Sequence, residues 1–256
     1  MTETERSESD RIEEARERLL DAMLPHVPFD GWSRATIDAA AREAGVDPGL
    51  ARLAFPRGGV DAALALHRRG DRRMVEAIKA MPLAAMGVTE KVTAAVRKRL
   101  EIAAEHREAA RRAAALLSLP IHAADAARAM WETADAIWTA IGDPSDDINW
   151  YTKRAILAGV YSSVALYWLG DESEGFSATW IFLDRRMDDV MRFEKAKAAV
   201  RRNPLGRLFF GTADRMLSMI HAPGAARGAA GPGGPGGAAG AQDAAAGPGA
   251  PGDAPD

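Results

Sequence analysis

Cysteine is absent from all 256 residues. That excludes disulfides, thiolate metal sites and thiol nucleophiles, and it suits a reducing compartment. Neither sign of charge dominates: Lys plus Arg number 33 and Asp plus Glu 36, for a net charge of -3. No global basicity marks the chain for nucleic acid. A membrane span is missing as well. The uncharged apolar run Ala155 to Leu169 is shorter than the roughly 20 residues a bilayer crossing needs, and Lys153-Arg154 stands at its start. The start MTETERSESD is acidic and polar, unlike a signal peptide or an Arg-rich transit peptide. No segment alternates convincingly between apolar and polar residues, and no internal repeat is found, so strands are not expected.

Site chemistry is equally sparse. His26, His67, His106, His122 and His221 are not spaced to share a helix face, and none stands in an H-E-x-x-H context. There is no Walker loop, no G-x-S-x-G, and no nucleophile with a base and an orienting group. Asp143, Asp146 and Asp147 read as a turn and helix cap rather than a cation site. Gly231 to Gly236 matches G-x-G-x-x-G, but no strand precedes it and no helix follows, so composition explains the match. Neither a metal nor a cofactor is expected, and nothing positive points to an enzyme.

What is present is helix. Asp146 to Asp171, DDINWYTKRAILAGVYSSVALYWLGD, carries N-cap and first-turn Asp residues and a Gly stop. Its apolar residues run nearly all round, which predicts the central buried helix of an all-α protein. Before it, residues 1–9 read as disordered. Ile12, Ala15, Leu19 and Met23 predict a helix over 10–26, ended by Pro25 and Pro28. Ser33 caps a second helix to about Ala44. Asp47-Pro48 opens a short third one to Phe55, and a fourth runs from about Val60 to Met81. Residues 82–87 read as a linker. Further helices are predicted over about 89–106, 107–119, 123–141 and 176–200.

Ala40 to Leu66, AAREAGVDPGLARLAFPRGGVDAALAL, resembles the helix-turn-helix domain of TetR-type repressors. Residues 10–81 would form that subdomain and 88–200 a helical ligand-binding and dimerisation domain. The element that would enter a major groove carries one Asp and one Arg, too little to neutralise phosphates. DNA binding is therefore disfavoured, although a TetR-type ligand-responsive regulator remains the alternative function.

The segment between Pro204 and Pro223 is amphipathic. Leu205, Leu208, Phe209, Met216 and Ile220 fall opposite a polar face of Arg207, Gly211, Asp214, Ser218 and His221, and Leu217 lies on its edge. With Lys195, Lys197, Arg201 and Arg202 upstream, residues 204–221 read as a membrane-interface helix or, alternatively, as a terminal helix docked on the core. Residues 222–256 are Ala, Gly and Pro with scattered Asp, and are expected to be disordered.

Aromatics concentrate in two consecutive helices. Trp131, Trp138, Trp150, Leu157, Tyr161 and Trp168 are the candidate lining of an apolar, lipid-sized pocket, with core packing as the default for each taken singly. Trp180 and Leu183 belong either to that core or to an exposed partner site.

Leu117 to Pro120, the Trp131 and Trp138 pair, GDPSDDINWYTKRAIL (Gly142 to Leu157), VYSSVALYWLGDES (Val160 to Ser173) and TWIFLDRRMDDVM (Thr179 to Met191) resemble the Coq-nine family of ubiquinone-biosynthesis accessory proteins. The resemblance implies a TetR-like fold that has lost DNA binding, a homodimer, and a pocket for an isoprenoid quinone intermediate or phospholipid. It also implies membrane contact through Leu205 to Ile220 and a partner surface at Tyr167, Trp180 and Leu183 for the di-iron demethoxyubiquinone hydroxylase. The acidic start departs from mitochondrial members, so a bacterial protein, cytoplasmic and peripheral on the inner face of the membrane, is expected.

Overall fold

The structure, a computed structural model, describes residues 3–202, with side chains from 8 to 192. Among these residues there are ten α-helices, three short 3-10 turns and no strand. The chain is all-α, as its periodicity predicts.

Helix α1 (Glu3–Met23) begins earlier than expected. The sequence predicts disorder over residues 1–9, but the backbone is helical from Glu3. No Gly or Pro interrupts the chain before Pro25, so nothing breaks the helix upstream of Asp10. The four-residue α2 (Val27–Asp30) is new. Pro28 sits in its first turn, where the missing N–H costs nothing, so a residue read as a stop is part of a start. Helix α3 (Arg34–Glu43) is capped by Ser33, whose hydroxyl accepts from the Thr36 N–H at 3.1 Å. Helix α4 (Pro48–Ala54) is capped by Asp47, which accepts from the N–H groups of Gly49 and Leu50.

These elements and the first half of α5 (Gly59–Lys79) enclose one core of Leu19, Leu20, Met23, Val27, Ile37, Phe55 and Ala62. A fully buried Leu there contributes roughly 2 kcal/mol. The start of α5 lies hard against the loop before α3. A Cβ on Gly59 would meet the Trp32 carbonyl oxygen at 1.9 Å, so only glycine fits. Trp32 in turn donates its Nε1–H to the Ala109 carbonyl at 3.1 Å, tying this core to α7 (Arg107–Leu117).

The second half of α5 belongs to a different core. Met74 and Ile78 pack with Val92, Val96 and Leu100 of α6 (Val88–Ala104), Ala134 and Ile137 of α8 (Ala123–Ala140), and Leu157, Tyr161, Val164 and Trp168 of α9 (Ile148–Gly170). Leu183 and Met187 of α10 (Ser177–Arg202) complete it. The expected boundary after residue 81 thus falls at the end of a helix that already serves both cores.

Asp147 caps α9 and Gly170 ends it, as expected, but α9 is not buried all round. Leu166 is 69% exposed and Tyr167 44%, and Ala155 and Gly159 are exposed too. This edge lies away from the neighbouring helices, so its apolar residues meet solvent. The C-terminal carbonyls of α9 are held from α7. Arg107 Nη2 donates to Trp168 O at 3.0 Å and Leu169 O at 3.2 Å, and Arg111 Nη2 donates to Leu169 O at 2.8 Å. Cations at that helix end suit its dipole.

The predicted amphipathic helix at 204–221, with Leu205, Leu208, Phe209, Met216, Leu217 and Ile220, and the predicted disordered tail at 222–256 both lie outside the described residues.

Candidate functional site

A cavity of about 170 Å³ lies between α5, α6, α7, α8 and α9. Its walls are Leu66, Leu100, Ala103, Ala110, Ala113, Met130, Tyr161, Ala165 and Trp168, with His67, Gly70 and Arg99. An apolar cavity near 150 Å³ is known to hold one benzene ring, so this one takes about a ring and little more. It is open on one side, where Arg73 and His106 are exposed.

The polar part of the wall is a closed network. Arg99, only 3% exposed, donates Nε–H to Asp71 at 2.7 Å and Nη2–H to the His67 carbonyl at 2.9 Å. Thr133 donates to Asp71 at 3.0 Å, and His67 Nε2 meets the Thr133 hydroxyl at 2.8 Å. Burial lowers His67 to about 4, against the pull of Asp71, so its ring is neutral at pH 7. Gly70 makes room for all this. A Cβ there would stand 2.6 Å from Arg99 Cζ. An isolated glycine inside a helix pattern commonly marks such a close approach. That glycine was the available sequence signal; the Asp71, Arg99 and Thr133 network itself was not foreseen.

A second apolar cleft of about 300 Å³ lies between the start of α6, the end of α8, the start of α9, and α10. Trp138, Leu157, Ile156, Val160, Met187 and Met191 line it, with Lys153. The Trp138 Nε1–H donates to the Lys153 carbonyl at 3.1 Å, and the Lys153 ammonium stands 5.2 Å from the Trp138 ring centre.

The six candidate pocket residues therefore do not share one pocket. Tyr161 and Trp168 line the first cavity, and Trp138 and Leu157 the second. Trp131 and Trp150 line neither; they stand together with Tyr151, Trp150 being 6.0 Å from Trp131 and 4.8 Å from Tyr151. The Arg154 guanidinium lies 3.9 Å over Trp150. Arg154 is itself buried and pairs with Asp135 at 2.5 Å and Asp143 at 3.3 Å. Asp143 also holds Lys153 at 2.6 Å. Burial works to raise the Asp143 carboxyl, but Lys153, Ser145 and Arg154 bring it below the usual range. Helical spacing placed all six on apolar faces. It did not show which of them line the same cavity.

The three candidate partner residues also separate. Tyr167 is exposed and stacks on Phe182, with ring centres 4.6 Å apart. Trp180 is partly exposed, donates to the Gly175 carbonyl at 2.8 Å, and lies under Arg97 at 4.7 Å. Leu183 is 1% exposed and packs in the second core. As a partner contact Leu183 is corrected: its side chain points inward, three residues after Trp180 on the buried stripe of α10.

Among the described residues, no group of three or more His, Asp or Glu could hold a metal ion, and no helix is long and apolar enough to cross a membrane.

Comparisons with known proteins fit this geometry. Residues 123–194, which span α8, α9 and most of α10, match the COQ9 family model. The chain is 35% identical over 190 residues to the ubiquinone biosynthesis protein COQ9, mitochondrial, of Drosophila melanogaster, covering 72% of this chain and 57% of that protein. It is 31% identical over 186 residues to the protein of that name from Homo sapiens, covering 70% of this chain and 58% of that protein. A TetR transcriptional regulator from Nitrosomonas europaea shares the fold, with a TM-score of 0.55 at 20% identity over 68% of this chain and 96% of that one. The chain spans under two thirds of the length of these curated relatives. The expected bacterial, cytoplasmic-membrane location is overturned, because the matched relatives from fly, human and Dictyostelium discoideum are all mitochondrial proteins by name. An acidic start carried that expectation. From α8 to α10 the chain matches the COQ9 family, its wider sequence identity is to COQ9 proteins, and it is built on a TetR-like fold.

Proposed function

We propose that this chain is a non-enzymatic lipid-binding accessory protein of ubiquinone biosynthesis, which holds an isoprenoid quinone intermediate for the demethoxyubiquinone hydroxylase. The observation that carries this reading is the apolar cavity between α5 and α9, open on one side and walled by Tyr161 and Trp168. Its volume suits the ring of such a lipid, with the tail passing out of the open side. Each buried CH₂ of a tail offsets about 0.8 kcal/mol of transfer from a bilayer. The cleft at Trp138 and Leu157 is a second apolar groove for a tail or an acyl chain.

The segment Leu205 to Ile220 serves as the membrane contact, on the strength of its amphipathic pattern. Exposed Tyr167 and partly exposed Trp180 form the surface for the hydroxylase, and the exposed edge of α9 at Gly159 and Leu166 supports a homodimer. The rival reading, a ligand-responsive DNA-binding regulator, has the fold in its favour. Against it, α4 exposes one cation, Arg52, beside an exposed Leu53, and phosphate neutralisation dominates DNA affinity.

One experiment tests holding and membrane contact together. The full chain is floated with liposomes containing ubiquinone, separated from them, and assayed for quinone. The expected outcome is that the chain floats and retains quinone, while a Phe209→Asp, Leu217→Asp double variant stays at the bottom. A chain that neither floats nor carries quinone removes the reading.

A further inference from the structure

The inner wall of the first cavity is polar yet electrically balanced. The positive charge of Arg99 is matched by Asp71 at 2.7 Å, and the His67 ring is neutral. Asp71, Thr133, His67 and Arg99 satisfy one another. Two donors on this wall are exceptions. The Trp168 Nε1–H is buried without a partner. Tyr161 is 3% exposed, lines the cavity, and stands edge-on to His67 with ring centres 6.5 Å apart. Its hydroxyl takes no hydrogen bond from the described residues. Burial holds that hydroxyl above its ordinary pKa, so at neutral pH it carries its proton and is a donor.

Resting on the lipid-binding reading above, we infer that the Tyr161 hydroxyl donates a hydrogen bond to a neutral oxygen, a carbonyl or an ether, on a ring-sized head group seated at the inner end of the cavity. Three features favour that ligand class. The volume of about 170 Å³ admits about one ring. Tyr161 is a hydroxyl donor without a partner among the described residues, beside the unpartnered Trp168 Nε1–H. The charge balance leaves no unmatched cation at the inner end, so a carboxylate or phosphate there would lose its water without compensation. The head group enters first, and the apolar remainder leaves past exposed Arg73 and His106. A fatty acid or phospholipid in the reverse sense would leave Tyr161 unpaired.

Calorimetric titration of the full chain tests this with two ligands of one shape: valerophenone, and pentylbenzene, in which a CH₂ replaces the carbonyl. Each is titrated into the wild type and into Tyr161→Phe, which keeps the ring and removes the hydroxyl. The expected result is a loss of about tenfold in valerophenone affinity on substitution, with pentylbenzene affinity unchanged. If both ligands weaken by the same factor, Tyr161 is only a wall and the inference falls while the cavity stands. If 5-phenylpentanoate binds the wild type more tightly than valerophenone, the preference for a neutral head is overturned. If none of the three binds the wild type, the lipid-binding reading fails and takes this inference with it.

Discussion

Arg99 reaches Asp71 because nothing projects from position 70. The guanidinium fills the place of a missing side chain, with Cζ at 2.6 Å from where a Cβ would stand. Gly70→Ala adds about 1 kcal/mol of helix propensity but forces a buried, paired cation to move. Overpacking typically costs 1–3 kcal/mol and here disturbs an ion pair as well, so a net loss of about 2 kcal/mol is expected in urea unfolding. A variant as stable as the wild type would show that Arg99 has another resting place. His67, in the same network, gives stability a pH dependence. Its folded value of about 4 lies below the ordinary 6.5, so as pH falls the unfolded chain takes up the proton first. The contribution is complete above about 6.5 and is lost as pH falls towards 4, about 3 kcal/mol in all. Unfolding curves from pH 7 to 4 should show this slope in the wild type, and His67→Gln should flatten it.

At the scale of elements, the caps were legible and the contacts between helices were not. Ser33, Asp47 and Asp147 each hold the first N–H groups of a helix where a short acceptor side chain precedes an apolar run. Capping is local chemistry and needs only neighbours in sequence. The exposed edge of α9 depends on which faces other helices cover, and a helix with apolar residues on every side gives no such direction. Phe176, a non-glycine residue at φ 59, follows Gly175 at φ 58 in the turn before α10, and no pattern announces that. Pairs of glycines are more informative when the chain must come close. Gly59 sits 1.9 Å, in Cβ terms, from the Trp32 carbonyl oxygen, and backbone cannot swing aside as a side-chain tip can. Gly59→Ala should therefore cost about 3 kcal/mol, the upper end for overpacking, by separating α5 from the loop before α3. Gly58→Ala, which meets no atom within 4 Å but sits at φ 72, is the comparison and should cost about 1–2 kcal/mol. If Gly59→Ala costs no more than its neighbour, the close approach is not what holds that junction.

At the scale of the whole molecule, composition and periodicity reached the fold class, and the stretches quoted between Leu117 and Met191 pointed to the family. The site was only partly legible. All six candidate residues sit in or beside the second half of the molecule, yet they divide between two cavities and an aromatic cluster at Trp131, Trp150 and Tyr151. The first cavity lies along the C-terminal half of α9 and the second along its N-terminal half, while the packed second core takes in Leu157, Val160 and Val164 of the same helix. Helical spacing shows which residues share a face of one helix, whereas a cavity is made by the residues that several helices leave unfilled.

The central claim is that the space between α5 and α9 carries lipid, and the most direct measurement is organic extraction of the full chain purified without detergent, followed by mass spectrometry. Ala165 lines that space, so Ala165→Trp fills it. The account predicts about one lipid per wild-type chain, and a several-fold reduction in Ala165→Trp with the helical circular dichroism preserved. No lipid from the wild type, or the same amount from both chains, would contradict it.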